Sequence, residues 1–402
     1  MSGLETFLLC AMFAGSLLIE VRLPYVGFSA ANLCVPLTAV AMAWMRRESA
    51  RRAFERHRRV LATMLAVYVW AWISAANGVD PALSLRYVVK YTAYPVSFCA
   101  LLIFLHRRGT TEAAQRTAYW FLLLVGCLGV VEYCWPQASI FTVLRKQPAV
   151  APRIASVMIW PNQFGVLTAI TIAWGAALVH RQRIPAATSY ATPLLLLALA
   201  LSGSRSSWLV FAVLLGTLTA AGVVPAKRAA AMIAVFALAL ITFSVPVSQL
   251  GLKGVSGLPL EQFITSDTRQ PAAGTSSPQH SLTTRIDLWR AAIAEIRRHP
   301  VSGIGLEVFA NTIGPRITEQ YWINTHNLFL NIAVELGLVG AALAAAFLYA
   351  LFRSGDPRCW TETIPLVGLL IGQLFDCFTY DHAFMTLALF FAASYASPRP
   401  SH

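Results

Sequence analysis

His326 stands at the start of a long apolar stretch. The segment "YWINTHNLFLNIAVELGLVG" covers residues 321–340, and more than twenty mostly apolar residues follow Asn327. A histidine side chain exchanges its proton near neutral pH, so it can serve as a general base. A single histidine at a helix start more often has a structural role, for example as a helix cap. Base catalysis and capping are therefore the two hypotheses for His326.

Arg205 is the second residue that could do chemistry. It lies in "LSGSRSSWL", residues 201–209, among four serines and one glycine in a predicted turn between two apolar stretches. Small residues let a ligand approach the backbone, and clustered N–H and hydroxyl groups suit an anion. The alternative is an arginine at a helix end that extends to the aqueous boundary. Its predicted place on the face poor in Lys and Arg argues against that alternative.

Three further arginines lie near predicted helix ends. Arg285 and Arg290 belong to "TTRIDLWRAAIAEIRRHP", and Arg153 begins "RIASVMIWPNQFG", where Pro161 predicts a break in a helix. Contact with lipid headgroups is the alternative explanation for these charges. Because guanidinium groups bind phosphate oxygens through two parallel hydrogen bonds, arginines that converge at a membrane surface indicate a phosphate or diphosphate ligand.

The sequence lacks the motifs of metal and nucleotide sites. No P-loop occurs, and no pair of carboxylates of the D-x-D kind lies on the predicted outer face. The seven cysteines fall in apolar stretches without metal-ligand spacing, so they indicate buried side chains. Glu335 and Asp376 lie in or near apolar stretches and are interpreted as packing or supporting groups. We therefore expect neither a metal nor a cofactor.

The composition predicts a polytopic membrane protein that forms one domain over residues 1–402. Hydrophobic residues make up 57% of the chain and charged residues 12%, against about 25% charged in soluble proteins. A spanning helix needs about 20 apolar residues. About twelve stretches qualify: 4–20, 24–45, 60–76, 87–105, 117–135, 154–179, 190–202, 207–224, 229–249, 326–352, 359–378 and 383–397.

Lys and Arg in the short loops predict the orientation. Alternate loops hold 16 of the 31 Lys and Arg residues: 46–59, 106–116, 180–183, 225–228 and 353–358. The positive-inside rule puts these loops and both termini in the cytoplasm, and His326 and Arg205 on the opposite, outer face of the membrane. The net charge of +13 then reflects topology and contact with anionic lipid in the bilayer, and does not indicate nucleic acid.

One predicted outer loop, about residues 250–321, is long. Its first part is rich in Gly, Ser, Pro and Thr, which predicts a mobile linker. Its second part predicts an amphipathic helix with Thr284 as N-cap and a stop at Pro300. The apolar face of this helix should rest on the membrane–water boundary. That predicted face consists of Ile286, Trp289, Ile293 and Ile296.

Four motifs between residues 150 and 340 resemble those of the O-antigen ligase and polymerase superfamily. "HNLFLNIAVELG" is similar to its H-N-x-x-L-x6-G motif, and "SGSRSSWL" to its S-x-S-R-x-x-W-L turn. "RIDLWRAAI" followed by "HPVSGIGLEVF" resembles its R-x3-W and P-x2-G-x-G-x3-F segments, and "PNQFG" is also typical. The first 150 residues resemble the family only as a series of apolar stretches.

The resemblance implies a GT-C-like membrane glycosyltransferase with a periplasmic active site. The donor in this family is a glycan on undecaprenyl diphosphate, and the ligase branch transfers it to lipid A-core without metal or nucleotide and with inversion. By position, His326 would be the base that activates the acceptor hydroxyl. Arg205 and Arg285 would hold the donor diphosphate, and Arg290 and Arg153 would assist.

Other functions remain open at this point. O-antigen polymerases and protein O-oligosaccharyltransferases share the motifs, but polymerases usually have two large outer loops, so one long loop and a length of 402 residues favour the ligase. A secondary transporter is a different class of alternative. It predicts charged residues at mid-bilayer and paired broken helices in two related halves. The sequence shows one predicted break, at Pro161, and no repeat.

Overall fold

The structure is a computed structural model that describes residues 1–17, 29–135, 141, 153–158, 160–244, 278–318, 322–355, 363–378 and 382–397. The regular elements of these residues are all helices, which confirms the all-α prediction for this part of the chain. In order, the α-helices are α1 Gly3–Ser16, α2 Ala30–Met45, α3 Ala50–Ala76, α4 Pro81–Tyr91, α5 Ala93–Phe104, α6 Arg108–Cys134, α7 Pro161–His180, α8 Thr192–Leu201, α9 Arg205–Ala220, α10 Ala226–Ser244, α11 Pro278–Arg298, α12 Gly314–Thr318, α13 Leu328–Ser354, α14 Ile364–Gln373 and α15 His382–Ala396.

Helix length and composition support a multi-pass membrane protein. Six helical stretches are long and apolar enough to cross a membrane: Arg47–Ala76, Pro81–Phe104, Gly109–Cys134, Pro161–His180, Ala226–Phe243 and Leu328–Ser354. Six shorter apolar helices have 10–17 residues: Gly3–Ser16, Ala30–Met45, Ala186–Leu201, Arg205–Ala220, Ile364–Gln373 and His382–Ala396. Each of the twelve apolar stretches predicted from the sequence overlaps one of these helices.

The chain forms two compact units. The first unit comprises Met1–Gln115, Leu282–Trp360 and Gln373–His402, and the second comprises Arg116–Ser281 and Thr361–Gly372. Each unit therefore combines segments that are far apart in the sequence.

A kink in α13 organises the first unit. Gly337 has φ +70, and a Cβ built there would lie 2.1 Å from the carbonyl oxygen of Val301, so only glycine fits. The kink frees carbonyl groups of α13 for other partners. The Val334 carbonyl accepts the N–H of Ile304 at 3.0 Å, and the Glu335 carbonyl accepts the N–H of Gly305 at 2.9 Å. The segment that follows α11 is thereby attached to α13.

Helix α3 packs along α13 and secures the same kink. The Ser74 hydroxyl donates to the Glu335 carbonyl at 2.9 Å, and the indole N–H of Trp70 donates to the Leu336 carbonyl at 2.8 Å. Because these donors satisfy carbonyls that the kink takes out of the helical ladder, the distortion leaves fewer buried acceptors unpaired.

Helix α11 is longer than predicted and packs differently. It begins at Pro278, so Thr284 lies inside the helix and the N-cap prediction is wrong. Leu288 and Ala292 have no exposed surface and join a core cluster with residues of the 304–334 region, whereas Ile293 is 44% exposed. The side of the helix that faces the core is therefore rotated relative to the predicted apolar face, although Ile296 of that face still packs against the cluster. The predicted mobile linker at 250–277 lies outside the described residues.

In the second unit, α7 begins at the predicted break. Pro161 is its first residue, a position where the missing N–H of proline is harmless. The described residues before it, 153–158, are not helical. The predicted break at Pro161 is thus a helix start, and the described residues of the predicted stretch 154–179 are helical only from Pro161 onward. The helix packs against α9 and is buried along most of its length.

Candidate active site

His326 lies in the segment 322–327 that leads into α13. Its backbone is left-handed, with φ +51, a conformation uncommon for residues other than glycine. The N-cap of α13 is Asn327, whose Oδ1 accepts the N–H of Leu330 at 3.0 Å. The cap of this helix is therefore already supplied, which leaves the imidazole of His326 for another role.

A buried carboxylate orients the imidazole. Nδ1 of His326 lies 2.9 Å from Oδ1 of Asp376, with 26% of the histidine side chain exposed and 6% of the aspartate side chain. Oδ1 of Asp376 also accepts the backbone N–H of Cys377 at 2.9 Å. A carboxylate acceptor assigns the proton to Nδ1, so the lone pair of Nε2 can accept a proton from a substrate.

Two asparagines tie the same segment to residues 374–377. Asn324 accepts the backbone N–H of His326 at 2.8 Å and donates to the Cys377 carbonyl at 3.1 Å. Asn327 donates to the Leu374 carbonyl at 3.0 Å. These contacts hold the strained backbone of His326 in place beside Asp376, so the imidazole has a fixed position.

Helix α11 touches the His326 segment through Trp289. The indole N–H of Trp289 donates to the Thr325 carbonyl at 2.8 Å. Arg285 precedes Trp289 by four residues, so it lies one turn away on the same face of the helix, and it is half-buried. Arg290 projects from a different face: its side chain is 77% exposed and pairs with Asp287 at 3.2 Å. Arg285 therefore lies on the helix face that contacts the His326 segment, and Arg290 does not.

Sequence reasoning missed a buried acid, Glu307, that secures the start of the segment. Its carboxylate accepts hydrogen bonds from the hydroxyl of Tyr91 at 2.5 Å and from the indole of Trp322 at 3.2 Å. Burial raises the pKa of Glu307, against the opposing effects of these two hydrogen bonds and of the nearby Lys90 charge. The only signal in the sequence was a carboxylate inside the P-x2-G-x-G-x3-F segment.

Arg205 is the first residue of α9, in the second unit. The turn before it is built from serines: the Ser207 hydroxyl donates to Ser204 Oγ at 2.6 Å, and Ser204 is the N-cap. Ser202, Ser204 and Ser207 are buried, so their hydroxyls serve the turn. Arg205 is exposed at the positive end of the helix, where an anion is favoured.

Arg153 holds the Arg205 turn from the neighbouring segment of the same unit. Its Nε donates to the Ser202 carbonyl at 2.8 Å, and its Nη2 donates to Asn162 Oδ1 at 2.7 Å. Two of its donors are thus used by the protein itself. The structure brings Arg153 to the Arg205 turn, and it places Arg285, Arg290 and His326 in the other unit.

Among the described residues, the carboxylate that contacts His326 is that of Asp376. Over the described ranges, no three His, Cys, Asp or Glu side chains lie together in a way that could hold a metal ion. The arrangement offers an oriented imidazole, a carboxylate that can stabilise its protonated form, and arginines that can bind anionic oxygens. It is suited to removing a proton from a hydroxyl group.

A model of the O-antigen ligase family matches residues 191–345 of the chain. The matched range contains Arg205, Arg285, Arg290 and His326, whereas Arg153 precedes it and Asp376 follows it. A search of curated proteins finds no match. The match covers less than half of the chain, and it shows that residues 191–345 are similar to the O-antigen ligase family.

Proposed function

We propose that this chain, with its O-antigen ligase segment at 191–345, is a lipopolysaccharide O-antigen ligase. It transfers polysaccharide from undecaprenyl diphosphate to lipid A-core on the periplasmic face of the inner membrane. The observation that carries the proposal is the 2.9 Å contact between His326 Nδ1 and Asp376 Oδ1 at the start of α13. Such a pair supplies a base that is oriented before the substrate arrives.

The chemical step follows from this pair. Nε2 of His326 takes the proton of an acceptor hydroxyl, and the hydroxyl oxygen attacks the anomeric carbon of the donor glycan. The bond from that carbon to the diphosphate oxygen breaks, so undecaprenyl diphosphate leaves with the bonding electrons and the configuration inverts. Asp376 stabilises the imidazolium that forms. The proton then passes from His326 to solvent.

Arginines take the role that a metal ion has in many glycosyltransferases. We assign Arg205 and Arg285 to the donor diphosphate, because each guanidinium can form two parallel hydrogen bonds to phosphate oxygens. Negative charge grows on the diphosphate as the bond breaks, so these contacts strengthen in the transition state. Arg153 supports the Arg205 turn, and Arg290 adds positive charge beside Arg285.

The membrane arrangement that accompanies this function is a single GT-C-like domain of about twelve spanning helices. Both termini are cytoplasmic, and the loop at about 250–321 is periplasmic. Exposed positions test this orientation: Arg298, in the last turn of α11, has a side chain that is 69% exposed, and Arg51 one that is 90% exposed. An impermeant thiol reagent should label Arg298→Cys from the periplasm but not Arg51→Cys. The opposite result would reverse the orientation.

Gene deletion tests the activity itself. Loss of a ligase should remove the O-antigen ladder from lipopolysaccharide while the lipid-linked glycan accumulates, and the wild-type gene should restore the ladder. Loss of a polymerase should instead leave a single repeat on lipid A-core. Loss of a protein O-oligosaccharyltransferase should change glycoproteins and leave the ladder intact. The three outcomes therefore separate the functions that share these motifs.

A further inference from the structure

His57 is a buried polar residue without a partner. It lies at a kink in α3, with φ −100 and ψ +17, and only 1% of it is exposed. Neither of its ring nitrogens has a hydrogen-bond partner among the described residues. Burying an unpaired polar group is unfavourable, so such a residue indicates a missing ligand or a functional constraint.

A second histidine stands against the first. The ring of His106 lies edge-on to that of His57, with 6.5 Å between ring centroids, and its buried Nδ1 also lacks a partner within the described part of the chain. His106 and Arg107 lead directly into α6, whose 27 residues begin at Arg108. The positive end of a long helix therefore lies beside the two histidines, and it favours a bound anion.

Three arginines surround this pair. Burial and then the charges of Arg56, Arg52 and Arg107 lower the pKa of His106, so these guanidinium groups lie near its ring. All three arginines are exposed, and no side chain of the described residues pairs with them. The nearest acid along the helix, Glu55, is already paired with Arg51 at 2.8 Å. The cluster is thus positively charged and uncompensated.

We propose that Arg52, Arg56 and Arg107, together with His57 and His106, bind a phosphate group. Guanidinium and imidazole N–H groups are donors, and phosphate oxygens accept several hydrogen bonds at once. A phosphate oxygen would accept the N–H that each neutral imidazole carries, and the phosphate charge would compensate the arginine charges. Both an anionic lipid headgroup and a soluble phosphate compound present this chemistry.

The site is separate from the one around His326. His57 precedes Ser74 by 17 residues in α3, which corresponds to about 25 Å along a helix. Ser74 is the residue that contacts the kink of α13, on the His326 side of the unit. The helical stretch Arg47–Ala76 has 30 residues, or about 45 Å, enough to cross a bilayer with its headgroups. The phosphate is therefore not the donor diphosphate.

Flanking aromatic residues favour a lipid headgroup as the source. Trp44 is 69% exposed, and the guanidinium of Arg47 lies 5.3 Å from its ring centroid. Phe54 is 44% exposed between the arginines of α3. Exposed aromatic and basic side chains together are typical of the membrane–water boundary, where headgroup phosphates lie.

Binding to the purified full-length protein in a neutral detergent tests the site. The probes are phosphatidylglycerol, a diacylglycerol with the same acyl chains, and inorganic phosphate, measured by native mass spectrometry and by isothermal titration. The test variant is Arg52→Gln/Arg56→Gln. The matched control is Arg58→Gln/Arg59→Gln, which removes the same charge from two exposed positions one turn later in α3.

We expect phosphatidylglycerol to bind and diacylglycerol not to bind. The test variant should weaken phosphatidylglycerol binding about tenfold or more, since two charge-assisted contacts are lost, and the control should retain wild-type affinity. His57→Phe should weaken it as well without changing net charge. Binding of inorganic phosphate with the same dependence on Arg52 and Arg56 would support the site with a soluble ligand.

Two results would overturn the proposal. One is an equal loss of affinity in the test and control variants, which would mean general attraction between opposite charges. The other is absence of binding for both phosphatidylglycerol and inorganic phosphate. The assay does not involve glycan transfer, so its outcome is independent of the proposed ligase activity.

Discussion

The segment around His326 and the turn around Arg205 both precede an apolar helix, yet they are held in different ways. The Arg205 turn is mainly local: Ser204 caps α9 and bonds to Ser207 only three residues later, and Arg153 adds a contact to the Ser202 carbonyl. The His326 segment depends on distant partners, above all Asp376, 50 residues along the chain. A turn of the first kind can form from its own sequence, whereas a segment of the second kind exists only in the folded unit.

The difference matches the two proposed tasks. Binding a diphosphate needs positive charge at an accessible helix end, and an exposed arginine suffices for it. Base catalysis needs a ring fixed in one orientation and one tautomer, which requires surrounding contacts. Substitutions should therefore be more damaging at His326 than at the arginines.

The largest effect is expected for His326→Asn. Asparagine tolerates the left-handed backbone at φ +51 and can hydrogen-bond, but it cannot accept a proton at neutral pH. Transfer of lipid-linked glycan to lipid A-core by the purified variant should fall about 10²- to 10⁴-fold. Normal membrane expression and an unchanged unfolding temperature are the controls. Activity above about a tenth of wild type would exclude the general-base role.

Arg205→Lys and Arg285→Lys should come next. Lysine keeps the charge but loses the two parallel hydrogen bonds, so each variant should lose on the order of 2–4 kcal/mol of transition-state stabilisation, about 30- to 1000-fold in rate. Arg298→Lys is the matched control in α11, because its side chain is 69% exposed and pairs with Glu295. Full transfer activity in Arg285→Lys would argue against bidentate binding.

Loss of wild-type activity with EDTA would reveal a metal requirement.

Asp376→Asn removes only the negative charge that orients the imidazole of His326, and so tests how far His326 depends on this distant partner. An amide can still accept the Nδ1 proton or present its own N–H, so the tautomer of His326 is no longer determined. Transfer should fall about 10²-fold, at the lower end of general-base contributions. Normal membrane expression and an unchanged unfolding temperature separate this effect from a loss of folding. Wild-type transfer by Asp376→Asn would reduce Asp376 to a packing residue.

Gly337→Ala tests the kink in α13, to which the segment that follows α11 is attached. The new Cβ would lie 2.1 Å from the Val301 carbonyl oxygen at a residue with φ +70, so unfolding free energy should drop by about 1–3 kcal/mol. Gly216→Ala is the control, because no atom lies within 4 Å of a Cβ built there. Thermal unfolding in detergent measures both. Equal unfolding temperatures for the two variants would show that the kink can relax.

The smallest effect concerns Glu307. Burial raises the folded-state pKa of Glu307 above 4.5. The contribution of Glu307 to the free energy of unfolding is therefore fully present below about pH 4.5, and it is lost as the pH rises through the raised pKa. Glu307→Gln cannot ionise, and its unfolding temperature should decline less over that range than that of the wild type. Glu55→Gln, with a side chain 62% exposed in the wild type, should behave like the wild type. Parallel curves for wild type and Glu307→Gln would contradict the prediction.

Helix positions were largely predictable because they depend on local signals. The lengths of the apolar runs located the helices, Pro161 marked the start of α7, and Ser204 provided a cap for α9. The face of α11 was not predictable in the same way. The predicted apolar stripe consists of Ile286, Trp289, Ile293 and Ile296. The fully buried residues of the helix are instead Leu288 and Ala292. Apolar residues occur on more than one face of this helix, and periodicity alone does not say which face meets the core.

The features of the candidate site can likewise be separated into those that depend on side-chain type and those that depend on tertiary contacts. The sequence alone determined which residues can accept a proton or bind phosphate, because that depends on side-chain chemistry: His326, Arg205 and Arg285 stand out by type and motif. Only the tertiary structure decided that Asp376 orients His326, that Asn327 and not His326 caps α13, and that Glu307 is bonded to Trp322. These are contacts between segments distant in sequence, and they form only when the kink at Gly337 and the packing of α3 and α11 bring those segments together.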